Sequence, residues 1–184
     1  MSLILASGSP RRRELMSLIT PDYTVCTSDV DESRIVGETP ADTACKLAQA
    51  KCLAVAKDHP EDVVIGCDTV VEFEGQIFGK PKNREDAVRM LTALSGTSHQ
   101  VHTGVCICKG EQMEQLVCTS QVQFDVIDPQ LLERYVDTEE PYDKAGGYAI
   151  QGTAALFCLG IQGCYYNIMG FPVSRVAALL KNFE

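Results

Sequence analysis

Apolar positions along this chain fall into short runs whose spacing predicts alternating strands and helices. Residues 3–6, Leu-Ile-Leu-Ala, are continuously apolar, as a strand buried on both faces would be, and Gly8 supplies a turn. Ser9 is a good N-cap and Pro10 fits the first helical position, which predicts a helix over 10–18. A second helix over 39–57 opens on Thr39-Pro40-Ala41-Asp42, with a cap, a proline and an acid in its first turn. Residues 62–73 read as a long strand, and Glu74-Gly75 turns it into a short return strand over 76–78. Asn83-Arg84-Glu85-Asp86 starts a helix ending near Ser95-Gly96, and 99–108 with 115–126 form a hairpin around Lys109-Gly110. Asp128-Pro129 caps a helix to about Val136, strands are predicted near 155–161 and 164–169, and Phe171-Pro172 leads a last helix. This order predicts an α/β protein with a mixed sheet rather than a purely parallel one. No repeat or linker marks a boundary, so one domain is expected over 1–184.

The helix over 10–18 begins with Arg11, Arg12 and Arg13, at the end where a helix already carries partial positive charge and unpaired N–H groups. A solvated basic turn is one reading. An anion held by the hydroxyls, the glycine turn and the guanidinium groups is the other, and the whole arrangement favours it. Successive helical residues are ~100° apart, so the three arginines fan over ~200° and at least one faces solvent; Arg13 is expected to be that one.

Composition narrows the partners. A formal net charge of −9, from 25 acidic and 16 basic residues, argues against a general nucleic-acid or anionic-membrane binder, yet allows a small anion on a local basic cluster. No apolar run approaches ~20 residues and the N-terminus reads as a core strand, so a cytoplasmic protein without a membrane span is expected. Nine cysteines are scattered through apolar segments without a CxxC pair, as small buried residues in a reducing compartment would be. His99 and His102, three apart in a strand, point to opposite faces and make a poor metal pair.

Asp68 is the strongest catalytic candidate. Its strand, Val63-Val64-Ile65-Gly66-Cys67-Asp68-Thr69-Val70-Val71, is apolar on both faces, and a carboxylate there is costly unless paired, hydrogen-bonded or bound to a metal. Gly66 shares its face, and its missing side chain is expected to admit a ligand beside Asp68. Glu72 is on that face too, but ~13 Å along the strand. Asp29, Asp31 and Glu32 form an acidic loop able to hold a hard cation. Lys51 lies within the second helix. Gly79-Lys80-Pro81-Lys82 presents two ammonium groups but is no P-loop, because Glu74 stands where the first glycine belongs and Pro81 replaces the hydroxyl residue. Residues 143–152 make a glycine-rich loop bearing an ammonium, a phenol and an amide.

Five segments in this order carry a resemblance: Leu5-Ala6-Ser7-Gly8-Ser9-Pro10-Arg11-Arg12, Gly66-Cys67-Asp68-Thr69, Gly79-Lys80-Pro81, Leu94-Ser95-Gly96, and Asp143-Lys144-Ala145-Gly146 followed by Ile150-Gln151-Gly152. Together they resemble the Maf family of nucleoside triphosphate pyrophosphatases over essentially the whole chain. The resemblance implies a metal-dependent hydrolase that splits a nucleotide between its α and β phosphates, two lobes around a curved mixed sheet, an ITPase-like fold with a cleft between the lobes, and a homodimer. It places Asp68 as the catalytic carboxylate, general base or metal ligand, with Glu32 as the second acidic position for a divalent cation such as Mg²⁺ or Mn²⁺. Ser7, Arg12, Lys51 and Lys80 fall on phosphate-handling positions. Arg11, Thr69 and Gln151 fall on positions that distinguish subfamilies, and here they resemble the type acting on dTTP and UTP. Cys67, Gly147 and Ala149 depart from the family pattern without touching the chemistry.

Physical chemistry agrees with that expectation. A triphosphate develops further negative charge on the leaving pyrophosphate, and cations aimed there in a dry cleft stabilise the transition state. Gln151 and Thr69 carry groups able to read a pyrimidine edge. The alternatives are the same chemistry on 7-methyl-GTP, or a non-catalytic nucleotide-binding regulator of cell division.

Overall fold

The computed structural model of the chain describes residues 2–183. Among them, seven strands form one mixed sheet: β1 (Leu3–Ala6), β2 (Thr24–Val25), β3 (Val63–Phe73), β4 (Gln76–Phe78), β5 (Ser98–Lys109), β6 (Gln112–Phe124) and β7 (Cys158–Gln162). Their order is β2-β1-β3-β5-β6-β7, with β4 paired to β3. β1 runs parallel to β2 and β3, and every other pair is antiparallel. The helices are α1 (Pro10–Met16), α2 (Pro40–Ala56), α3 (Arg84–Leu94), α4 (Pro129–Val136), α5 (Tyr165–Ile168) and α6 (Val173–Leu180). Ser9, Thr39, Asn83 and Asp128 cap α1, α2, α3 and α4 through their side chains, as the sequence predicts.

α2 lies across the middle of one face. A Cβ at Gly66 of β3 would collide with the Ala48 carbonyl and Cys52, and one at Gly104 of β5 with the Ala44 carbonyl. Gly66 therefore makes room for helix backbone and not for a ligand, which corrects the expectation above. Cys52, Cys106 and Cys108 fill the same interface with Ile4, Ala6, Val55 and Val64, and the Cys52 and Cys108 sulfurs sit 3.1 Å apart. These thiols pack as small apolar side chains.

The opposite face carries two separate cores. α1 and α6 cover one end, where Leu15, Met16 and Val176 meet Leu5, Ile65, Val105 and Ile107. α3 and α4 cover the other, packing Leu91, Leu94, Tyr135 and Val136 against Val71, Val101, Val122 and Phe124. Between the two, Thr69 of β3 stands opposite Thr103 of β5.

The edge of β3 opens at the same level. β1 pairs with β3 up to Gly66, and β4 takes over only at Val71, so residues 67–70 have a strand on the β5 side alone. A gap beyond the C-terminal end of a parallel strand is where open α/β sheets leave room for ligands.

Two predicted strands are corrected. Of residues 164–169, Tyr165–Ile168 form the short helix α5, flanked by Cys164 and Met169, and 155–157 belong to a 3₁₀ turn ahead of β7. Tyr165-Tyr166-Asn167-Ile168 has strand-like composition. However, Asn167 is fully buried, and its Nδ2 donates to the Val101 carbonyl and Ser120 Oγ, both at 3.0 Å. Coiling the segment brings that amide onto the sheet. The two-residue strand β2 and the 3₁₀ turn Glu32–Arg34 carry no pattern long enough to predict.

Candidate active site

The β3 gap floors a cleft of about 1080 Å³, walled by the β1–α1 turn, α2, the Glu32 turn, the β4–α3 turn and the glycine-rich loop. α2 contributes Thr43, Leu47 and Lys51, four residues apart and so on one helical face. Lys51 Nζ lies 2.6 Å from Asp68 Oδ1 and 2.9 Å from Glu32 Oε1. Asp68 and Lys51 are nearly buried, whereas the Glu32 side chain is 55% exposed. Two carboxylates thus converge on one ammonium. As hard oxygen donors they suit Mg²⁺ or Mn²⁺, which take one or two carboxylates and complete their shell with water and phosphate oxygens. Among the described residues no larger metal-ligating cluster occurs.

Arg12 sits in a cage of neutral acceptors. Nε donates to the Gly170 carbonyl at 2.8 Å, Nη1 to Ser7 Oγ at 3.3 Å and Nη2 to Thr69 Oγ1 at 3.0 Å. No carboxylate among the described residues forms an ion pair with it. A guanidinium has five donors, so one hydrogen on each terminal nitrogen remains, and its charge stays uncompensated toward the cleft. Gly170 has φ +101°, a left-handed value, and a Cβ there would lie 3.0 Å from Thr69 Oγ1 and 3.4 Å from Arg12 Nε. Glycine satisfies both the turn and the space. Because α1 has only seven residues, its dipole adds little beside the charged side chains it carries.

Arg11 is half-buried in the cleft wall, with a buried Nε that lacks a hydrogen-bond partner. Burial, opposed by Asp143 and reinforced by Arg12, pulls its pKa below the ordinary value. Arg13 is exposed, reaching the Gly8 carbonyl at 3.5 Å. Lys80 and Gln151 are exposed on the cleft rim, and Lys144 lines it while paired with Asp143. The structure therefore brings Ser7, Arg11, Arg12, Glu32, Lys51, Asp68, Thr69, Lys80 and Gln151 around one cavity. Asp29 and Glu72 stay outside it; Glu72 instead pairs with His102 at 2.7 Å, and His102 also bonds Thr119. His99 points the other way, to Tyr148 at 2.6 Å.

Sequence reasoning missed Thr103, Asn167 and Gly170. Thr103 and Asn167 are fully buried, and Thr103 bonds Thr69 and the Asn167 carbonyl. No motif announces a hydroxyl whose partners are another strand and a main-chain oxygen.

Fold and cleft together define a mixed α/β protein, its open sheet flanked by helices, with a cleft lined by Arg11, Arg12 and Lys80 at the gap beside β3. The fold is that of a Ham1 protein from Staphylococcus aureus, matched with a TM-score of 0.58 at 16% identity over 100% of both chains, and of a HAM1 protein from Coxiella burnetii, at 0.54 and 11% over 99% of each. The chain belongs to the family described as Maf-like protein, whose model matches residues 2–183. A Bacillus cereus protein named dTTP/UTP pyrophosphatase is 40% identical over 182 residues, covering 99% of this chain and 95% of its own. One of the same name from Desulforamulus reducens is 43% identical over 183 residues, covering 98% and 96%.

Proposed function

We propose that this chain hydrolyses dTTP and UTP between the α and β phosphates, releasing the nucleoside monophosphate and pyrophosphate. The observation that carries the reading is the uncompensated Arg12 guanidinium, held by neutral acceptors in the same cavity as the Lys51-bridged carboxylates. Relatives sharing 40% and 43% of their residues along nearly all of this chain bear that activity in their names.

In this reading Arg12, Ser7 and Lys80 hold the phosphates, and their fixed donors stabilise the charge that develops on the leaving pyrophosphate. Asp68 takes the proton of the attacking water, and Lys51 fixes the carboxylate's position from α2. Asp68 and Glu32 would hold a divalent cation, which when bound neutralises phosphate charge and polarises the phosphoryl oxygens. Arg11, Thr69 and Gln151 lie where the nucleoside is discriminated. A homodimer and a cytoplasmic site of action belong to the same proposal; among the described residues no helix is long and apolar enough to cross a membrane.

The test is a nucleotide panel with Mg²⁺ or Mn²⁺ and pyrophosphate detection, run on the wild type and Asp68→Asn. Turnover of dTTP and UTP, reduced at least about a hundredfold in Asp68→Asn, supports the reading. A preference for 7-methyl-GTP over both would overturn the specificity. Full activity of Asp68→Asn would overturn the mechanism.

A further inference from the structure

Thr103 does not line the cleft; it lies fully buried in β5, beside Thr69. Its Oγ1 is 2.9 Å from the Asn167 carbonyl oxygen and 2.9 Å from Thr69 Oγ1. A hydroxyl has one proton and a carbonyl oxygen only accepts, so the Thr103 proton goes to Asn167. Thr69 must then donate the proton shared between the two hydroxyls. This leaves Thr69 with lone pairs toward Arg12 Nη2, the orientation a guanidinium requires, since it carries donors alone. The chain from Arg12 through Thr69 and Thr103 to the Asn167 carbonyl therefore has a single direction, and each bond polarises the next.

Its far end is firmly anchored. The Asn167 side chain donates to the Val101 carbonyl and to Ser120 Oγ, and Ser120 Oγ in turn donates to the Cys164 carbonyl. The acceptor that ends the chain is thus pinned to β5 and β6, between the two cores of that face. The same α5 turn supplies the Gly170 carbonyl to Arg12 Nε. One short segment near the C-terminus orients an arginine near the N-terminus by two routes, one direct and one through two hydroxyls.

We propose that Thr103 is a positioning residue for the reaction: it fixes Thr69 as a hydrogen-bond acceptor and so holds Arg12 at the angle where its remaining N–H groups meet the substrate's phosphates. The proposal rests on the reading of the cleft as a triphosphate site. It also assigns the Thr69 proton inward, so that toward a ligand Thr69 offers a lone pair and not a donor. Without the Thr103 hydroxyl, the Thr69 proton has no partner among the bonds described and Thr69 rotates, freeing one corner of the guanidinium.

The experiment combines dTTP kinetics with a view of Arg12 that needs no turnover. Wild type, Thr103→Val and Thr103→Ser are measured alone and in an Arg12→Lys background, where no planar fork remains to be oriented. Thr103→Val is expected to lower kcat/KM about tenfold, mostly in kcat, with Thr103→Ser within about threefold of wild type. In Arg12→Lys the same change should cost less than about twofold, because residues acting as one unit are not additive. The ¹⁵Nε resonance of Arg12 should be sharp and slow to exchange in wild type and Thr103→Ser, and broadened in Thr103→Val. If Thr103→Val does not fold, Thr103→Ala carries the same comparisons.

Equal losses in both backgrounds, or an unchanged Arg12 resonance beside reduced activity, would overturn the positioning role. Wild-type protein that leaves dTTP intact while the resonance responds as expected would refute the triphosphate reading, yet support the hydrogen-bond chain.

Discussion

Lys51 and Asp68 meet across the α2–β3 interface with Nζ and Oδ1 2.6 Å apart, and the exposed Glu32 reaches the same ammonium at 2.9 Å. The contact exists because Gly66 and Gly104 let the helix backbone approach the sheet. One carboxylate is set by the rigid strand and the other by a surface turn. Lys51 holds both, so its removal should expose what else can bridge them.

In Lys51→Met the two carboxylates lose their shared partner. Breaking such a nearly buried pair should cost on the order of 3 kcal/mol in metal-free buffer. Mn²⁺ should then raise the melting temperature more in Lys51→Met than in wild type, as read by differential scanning fluorimetry. An equal metal shift in both proteins would count against Asp68 and Glu32 as the cation site.

Gly170→Ala puts a Cβ into a left-handed residue and against Thr69 and Arg12. The expected cost is about 1–2 kcal/mol of stability, with at least about a tenfold loss in kcat/KM. Urea denaturation and steady-state kinetics on the same preparation check both figures. A variant as unstable as expected yet fully active would show that this turn does not govern Arg12.

Glu140 accepts from the Tyr135 hydroxyl at 3.0 Å and from the Thr153 and Ala154 N–H groups at 3.0 and 3.4 Å. Burial pushes its carboxyl pKa up, but these hydrogen bonds outweigh it and leave the group below its ordinary value. Glu140→Gln turns an NH₂ donor toward a site made of donors, so a loss of about 2 kcal/mol is expected. The turn it ties down begins at Thr153, two residues after Gln151. The ratio of dTTP to dCTP turnover should therefore fall toward one, while kcat for dTTP changes less.

His99 is buried against Tyr148 and Phe124, and its Nδ1 has no partner. Burial pushes its pKa down to about 4. The unfolded chain binds this proton near pH 6.5 and the folded protein does not, so the stability His99 contributes is present above pH 6.5 and is lost as pH falls toward 4. The full effect is on the order of 3 kcal/mol. Melting temperatures measured between pH 7 and 5 should decline less steeply in His99→Gln than in wild type. Parallel curves would refute the assignment.

Much of the fold was legible because local rules and tertiary structure agree. The caps Ser9, Thr39, Asn83 and Asp128 act as their residue types dictate, and the β5–β6 hairpin turns just after Lys109, at Gly110. Where they disagree, tertiary structure wins. The Asn167 amide finds its acceptors on β5 and β6 and coils a segment whose residues favour a strand. Gly66 reads equally well as ligand space or helix space until the helix is seen.

By itself, the sequence determined the elements, the isolated carboxylate in an apolar strand, the arginine cluster and the family motifs. Each is carried by residue type and spacing over a few positions. Tertiary structure alone decided that Lys51 bridges Asp68 and Glu32, that Arg12 is held by Ser7, Thr69 and Gly170, and that Thr103 and Asn167 stand behind it. Ser7 and Arg12 are five positions apart, but the other partners are separated by 17 to 158 positions and meet through ion pairs, hydroxyls and main-chain carbonyls. Every residue has such a carbonyl, and many have such a hydroxyl. Only the packing of β3, β5 and α5 selects which of them meet.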